Sequence, residues 1–191
     1  MSNGKARFVA SIIMPLLFFG ACASGAKNRK ELPYAYLTDT SRFFLLPPGG
    51  IEKPMDMAQY ISASFQDQDY LMASWVKADE TVIEMILLNE MGTTMGELSY
   101  REGLVSFTSQ VFAEFLRPEY IIADFQLCFY NALPLGRALE KCGLVLETSG
   151  ADRRVLKGRD LIYEIKKSAG AVKLINHLRE YSYTLDGDFS Q

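Results

Sequence analysis

Three cysteines and a single histidine are the side chains of this 191-residue sequence best suited to covalent or metal chemistry, and their spacing argues against most of it. Cys22, Cys128 and Cys142 form no Cys-x-x-Cys pair and no cluster with His177, whereas a zinc site needs several such ligands within reach of one another. Acyl transfer asks for a nucleophile, a base and a group that orients the base. No Gly-x-Ser-x-Gly is present, and no acid or nucleophile stands out as a partner for His177, which lies between Asn176 and Leu178 at the end of an expected strand. A surface or hydrogen-bonded imidazole is the expectation there. Asp124 is more unusual, set among Ile121, Ile122, Ala123, Phe125 and Leu127. It is expected to face solvent on its helix or to accept a backbone hydrogen bond, since no second carboxylate or base is indicated for proton transfer. Gly49-Gly50 follows two prolines and reads as a turn, not as a phosphate-binding loop. The chain is therefore expected to be no enzyme and to carry no cofactor and no metal.

Cys22 has a different context. Lys5 and Arg7 precede an uncharged, mostly apolar run from Phe8 to Phe19, which leads into Gly20-Ala21-Cys22. Twelve residues fall well short of the roughly 20 that span a bilayer as a helix, so residues 1–21 read as a signal peptide. Small residues before a cysteine resemble the lipobox of bacterial lipoproteins, with Phe19 where leucine is usual. That resemblance implies that the Cys22 thiol receives a diacylglyceryl group, that the signal is cut before it, and that the new amino terminus is acylated. Each buried methylene contributes about 0.8 kcal/mol, so several chains anchor a protein for practical purposes permanently. Ala23 carries no charge, whereas in such lipoproteins an Asp at that position signals retention in the inner membrane. The expectation is a lipid anchor in the outer membrane, facing the periplasm.

Removing residues 1–21 takes away Lys5 and Arg7 but no acid, which moves the net charge from −3 to −5. The densest basic cluster is Lys27-Asn28-Arg29-Lys30, and a nucleic-acid partner is not expected. The remaining length suits one domain of ordinary size. Residues 22–36 read as the lipidated tether, small and polar up to Pro33, and residues 37–191 as the domain. Between Cys128 and Cys142 an oxidising periplasm permits a disulfide, and two buried free thiols fit equally well.

The elements that must position these residues are mostly strands. Ile61, Ala63 and Phe65 alternate with Tyr60, Ser62 and Ser64, as Leu71, Ala73 and Trp75 do with Tyr70, Met72 and Ser74. Val82–Leu88 is apolar except at Glu84, and Glu97–Tyr100 and Leu104–Thr108 follow around Arg101-Glu102-Gly103. From about Ser109 the period becomes helical: one short helix through Leu116, a second after Pro118, and a third opening at Pro134 and ending at Gly143. Strands resume at 144–147, 154–156, 161–166, 172–177 and 181–185. The order of strands, helices and strands predicts an α+β fold with an antiparallel sheet and helices on one of its faces.

The string Ile86 to Tyr100 resembles the segment of the outer-membrane lipoprotein receptor LolB in which a strand ends at Asn-Pro-Leu-Gly. Met91 stands at that family's exposed loop leucine and Glu90 at its proline. An uncharacterised bacterial lipoprotein family related to LolB is closer still. It shares Leu45-Leu46-Pro47-Pro48, Met91-Gly92 and Ile121-Ile122-Ala123-Asp124-Phe125-Gln126-Leu127, with Tyr130-Asn131 where it often has Trp-Pro. The resemblance spans roughly residues 43–185. It implies a strongly curved antiparallel sheet, an incomplete barrel of the LolA/LolB kind, with short helices as a lid over an apolar cavity. Phe65, Trp75, Met85, Leu87, Phe107, Phe125, Phe129 and Leu139 could supply its walls, although such residues more often form plain core. Met91 would enter the membrane during transfer. The partners so implied are outer-membrane lipid, a lipoprotein or lipid cargo and a periplasmic carrier. A structural or interaction lipoprotein with a filled core and no cargo is the rival.

Overall fold

The computed structural model describes residues 32–65, 68–109, 111–112 and 117–189. Cys22 and the signal and lipidation readings lie outside them. Ten strands form one open antiparallel sheet. Its first meander is β3 (Met55–Phe65), β4 (Gln68–Ala78), β5 (Val82–Leu88), β6 (Thr94–Arg101) and β7 (Leu104–Ser109). The second is β8 (Val145–Ser149), β9 (Asp152–Lys157), β10 (Asp160–Lys167), β11 (Ala171–Asn176) and β12 (Tyr181–Asp186). Each meander runs in chain order, and they meet at the centre, where β12 pairs with β3. Two helices, α1 (Pro118–Phe129) and α2 (Ala132–Glu140), connect them. The α+β class and the antiparallel sheet follow the expectation.

Helix α1 touches β7 at one edge and also β11, six strands further across. At about 4.8 Å per strand a flat sheet would put these some 29 Å apart. Twelve residues of helix are only about 18 Å long, so the sheet bends around α1. Irregular pairing at Leu87/Leu88 and at Leu161/Tyr163 adds local curvature.

Eight consecutive residues of α1, Ile122 to Phe129, are buried, which an amphipathic helix on one surface cannot achieve. The second cover is a short hairpin of β1 (Tyr34–Tyr36) and β2 (Arg42–Phe44), with Ala35, Leu37 and Phe43 in the core. This hairpin begins inside the stretch read as tether. Its strands are three residues each, too short to show a period. Gln126 fastens the same side: its Nε2 donates to the Leu46 carbonyl (2.7 Å) and its Oε1 accepts from the Leu46 N–H (3.0 Å).

The helical reading of residues 109–116 is not met where the chain is described. β7 runs to Ser109, whose Oγ accepts from the N–H groups of Val111 and Phe112, a local bond that favours a turn over a helix. Residues 113–116 lie outside the described part. Helix α2 starts at Ala132, two residues before Pro134, because a helix tolerates proline anywhere in its first turn. Gly143 follows with φ 78°, a conformation glycine adopts without strain.

Pro47-Pro48-Gly49-Gly50 and Tyr130-Asn131 form one joint. The Tyr130 hydroxyl donates to the Pro47 carbonyl (3.0 Å), Asn131 Nδ2 donates to the carbonyl of Ile51 (3.1 Å), and the Glu52 N–H donates to the Phe129 carbonyl (2.8 Å). A Cβ on Gly50 would fall within 2.6 Å of Tyr130 Cε2 and closer still to Cδ2. Gly50→Ala should therefore cost about 1–3 kcal/mol through displacement of the ring, read as a lower urea midpoint with an unchanged slope. Gly49→Ala meets only ordinary contacts and serves as the control.

Candidate functional site

Between the concave face of the sheet and α1 lies a cavity of about 520 Å³. Strand pairing decides which residues reach it. Ile61 pairs with Met72, Ser74 with Leu87, and Val76 with Met85, so these share the inner face. Apolar walls come from Ile61, Met72, Met85 and Leu87 on the sheet and from Ile121 and Phe125 on the helix. Tyr120, Ile121, Asp124 and Phe125 line it together because residues three and four apart share a helix face.

Three of the eight residues named as walls, Met85, Leu87 and Phe125, line this cavity. Trp75 does not: it lies on the outer face, 47% exposed, with Ser74 and Val76 turned inward. The alternation was real but its sense was inverted. The inner face of β4 must leave room for α1, so Ser74, Val76 and Ala78 occupy it, while the larger Leu71 and Trp75 face out. Phe107 packs against Phe112 beside the core (ring centroids 6.2 Å apart), and Leu139 is wholly buried in α2. Phe129 stacks on Phe189, meets the Phe125 ring at a tilt and lines a separate depression with Lys167 and Met55. The Phe65 side chain lies outside the description. Met91 is 86% exposed at the β5–β6 turn, four residues beyond the cavity-lining Leu87. Asn89 shapes that turn, its Oδ1 accepting from the N–H groups of Met91 (3.0 Å) and Thr93 (2.8 Å).

The cavity also has polar members that sequence reasoning did not assemble. Asp124 neither faces solvent nor binds backbone; it is 7% exposed and its Oδ2 accepts a hydrogen bond from the Tyr181 hydroxyl (2.7 Å). Burial pushes its carboxyl up to about 7, against the opposing pull of the Tyr181 bond and the Arg179 charge. Arg179 is placed by Asn176, whose Oδ1 accepts from the N–H groups of Leu178 (3.0 Å) and Arg179 (2.9 Å). Its Nη2 donates to the Tyr36 carbonyl (2.6 Å), and its guanidinium sits 4.9 Å from the centroid of the Tyr120 ring. Burial also raises Tyr163, Tyr181 and Tyr183, which stay neutral phenols.

A second polar group ties α1 to the sheet. Arg153 is buried on β9; its Nη1 donates to the Leu127 carbonyl (2.8 Å), one of the last carbonyls of α1, and its Nη2 pairs with Glu52. Lys167 Nζ reaches the other Glu52 oxygen at 3.0 Å. Burial, then Arg153, holds the Lys167 ammonium below its usual value.

Cys128 and Cys142 are both free thiols, and burial drives Cys128 up to about 12. A thiol so high is a small hydrophobe rather than a nucleophile. His177 is exposed, and its backbone N–H donates to the Ile162 carbonyl (2.9 Å). Among the described residues no cluster of ligands could hold a metal ion, and no helix is long and apolar enough to cross a membrane.

A family model described as Protein of unknown function (DUF3261) matches residues 56–186. That span runs from the second residue of β3 to the last of β12 and takes in the whole cavity. No curated protein matches the chain.

Proposed function

We propose, for a chain that belongs to the family described as Protein of unknown function (DUF3261), the role of a membrane-anchored lipoprotein that receives the acyl chain of a lipid or lipoprotein and helps pass it to the outer membrane. The single observation that carries this reading is the cavity of about 520 Å³ with its Ile, Met, Leu and Phe walls. Acyl chains offer area and almost no hydrogen bonds, so a concave apolar site is what their capture requires. An open antiparallel sheet bent over a helix supports the likeness to LolA and LolB. Its cargo would come from a periplasmic carrier. Nothing in this role needs a catalytic residue or a cofactor. Mass spectrometry of lipid extracted from gently purified, non-lipidated protein tests it: a co-purifying amphiphile supports the role, and none under any condition favours a cargo-free interaction lipoprotein.

Two variants separate the anchor from the transfer loop. Cys22→Ser should leave an uncleaved or soluble form without an acylated amino terminus, checked by membrane fractionation and mass spectrometry. Met91→Glu puts a charge where an apolar tip would enter lipid, a costly change there and a mild one at a solvated turn. Its melting temperature should shift by no more than a degree or two, in keeping with a surface change of about 0.5 kcal/mol, while delivery of cargo to vesicles falls severalfold. Unfolding by Met91→Glu would make the side chain core, and unchanged delivery would make the turn a bystander.

A further inference from the structure

Three polar atoms of the cavity-lining residues are buried without a partner: Oδ1 of Asp124, Oε1 of Gln59 and Nη1 of Arg179. Asp124 is 7% and Gln59 6% exposed, so water does not readily satisfy them. Leaving a buried polar atom unpaired costs about 1–3 kcal/mol, and all three belong to residues that line one apolar cavity. Two accept and one donates. We propose that the cavity takes an acyl chain bearing an uncharged group that both donates and accepts hydrogen bonds, an amide or a hydroxyl, in preference to a free carboxylate. The proposal rests on the acyl-binding reading and names the ligand's head.

Charge decides between the candidate heads. The Asp124 carboxylate and the Arg179 guanidinium offset one another across the site without forming a direct ion pair, and Tyr163, Tyr181 and Tyr183 around them are neutral. A neutral head leaves that balance intact while its N–H or O–H reaches Asp124 or Gln59 and its oxygen accepts from Arg179. A carboxylate offers no donor, leaves both acceptors unpaired and adds a negative charge beside the buried Asp124. An ammonium satisfies the acceptors but leaves Arg179 Nη1 unpaired beside a second cation.

The test is displacement of the fluorophore N-phenyl-1-naphthylamine from the full chain carrying Cys22→Ser at pH 8. Decanamide, decanol and decanoate share a chain length and differ in head. Decanamide and decanol are expected to displace the fluorophore at concentrations about tenfold lower than decanoate. Gln59→Leu and Asp124→Leu should shrink that preference to threefold or less, each variant's displacement being referred to its own fluorophore affinity, and either variant suffices if the other does not fold. Equal or tighter binding of decanoate overturns the proposal and leaves acyl binding standing, with Arg179 as an anion reader. A preference that survives both substitutions also overturns it. No binding of fluorophore or of any decyl compound overturns both this proposal and the acyl-binding reading.

Discussion

Asp124→Asn should make the domain more stable at pH 8 and leave it nearly unchanged at pH 4. The carboxyl titrates at about 7 in the fold against an ordinary value of 3.8. A raised acid binds its proton more tightly when folded, so stability from this group is complete below about pH 4. It is lost progressively as pH rises toward 7 and is constant above that. The loss is about 4 kcal/mol at most, since one pKa unit corresponds to about 1.4 kcal/mol. Asparagine keeps an oxygen for the Tyr181 hydroxyl and cannot ionise. Urea unfolding at pH 4, 6 and 8 checks this: a wild-type midpoint that falls with pH should become flatter in the variant. A variant less stable than wild type at pH 8 would mean that Arg179 and Tyr181 stabilise the carboxylate more than burial penalises it. Tyr163, Tyr183 and Cys128, the other titratable groups around Asp124, stay neutral across this range and contribute no slope.

Arg153→Met is the second large effect, expected at about 1–3 kcal/mol of lost stability. Methionine roughly keeps the volume but removes the donor to the Leu127 carbonyl and the buried charge facing Glu52. The Leu127 carbonyl loses this donor and carries most of the cost, whereas Glu52 is 40% exposed and keeps Lys167. Lys167→Met should cost less, because its ion-pair partner Glu52 is the more exposed and its ammonium is already disfavoured by burial. Urea midpoints of the two variants check the order. A cost below 1 kcal/mol for Arg153→Met would mean that α1 is held by its apolar faces alone.

Strands were legible because alternation follows from the pleat, as in β3 and β4, and because the nearly continuous apolar run of β5 marks a strand. Which side of β4 faces inward was not legible. The Leu71, Ala73 and Trp75 stripe looks like a core face, yet pairing of Ile61 with Met72 commits that stripe to the outside. Register of this kind is set by the partner strand, not by the strand's own sequence. Asp124 stood out among apolar neighbours, but its partners Tyr181 and Arg179 come from the far end of the chain, and no spacing in the sequence announces them. Gln59 gave no signal, since a polar residue in an alternating strand ordinarily faces solvent. Met85, Leu87 and Phe125 were reachable from the sequence as large apolar residues of regular elements, and Leu139 by the same logic turned out to be plain core.

The way the two meanders join has a kinetic consequence. Every strand pair of the large sheet is a hairpin between neighbours in sequence except β3 with β12, where Phe65 meets Tyr181 across more than half the chain. Local hairpins form quickly, whereas the long loop must close before this pairing returns any free energy. Each half-sheet can zip up early, and the β3–β12 seam becomes the slow, committing event of folding. Gln59 and Ile61 lie on one side of that seam and Tyr181, Tyr183 and Leu185 on the other, all of them cavity-lining. The binding chamber therefore does not exist in either half alone and comes into being only with the last step of folding, so a chain that can hold cargo is one that has finished folding.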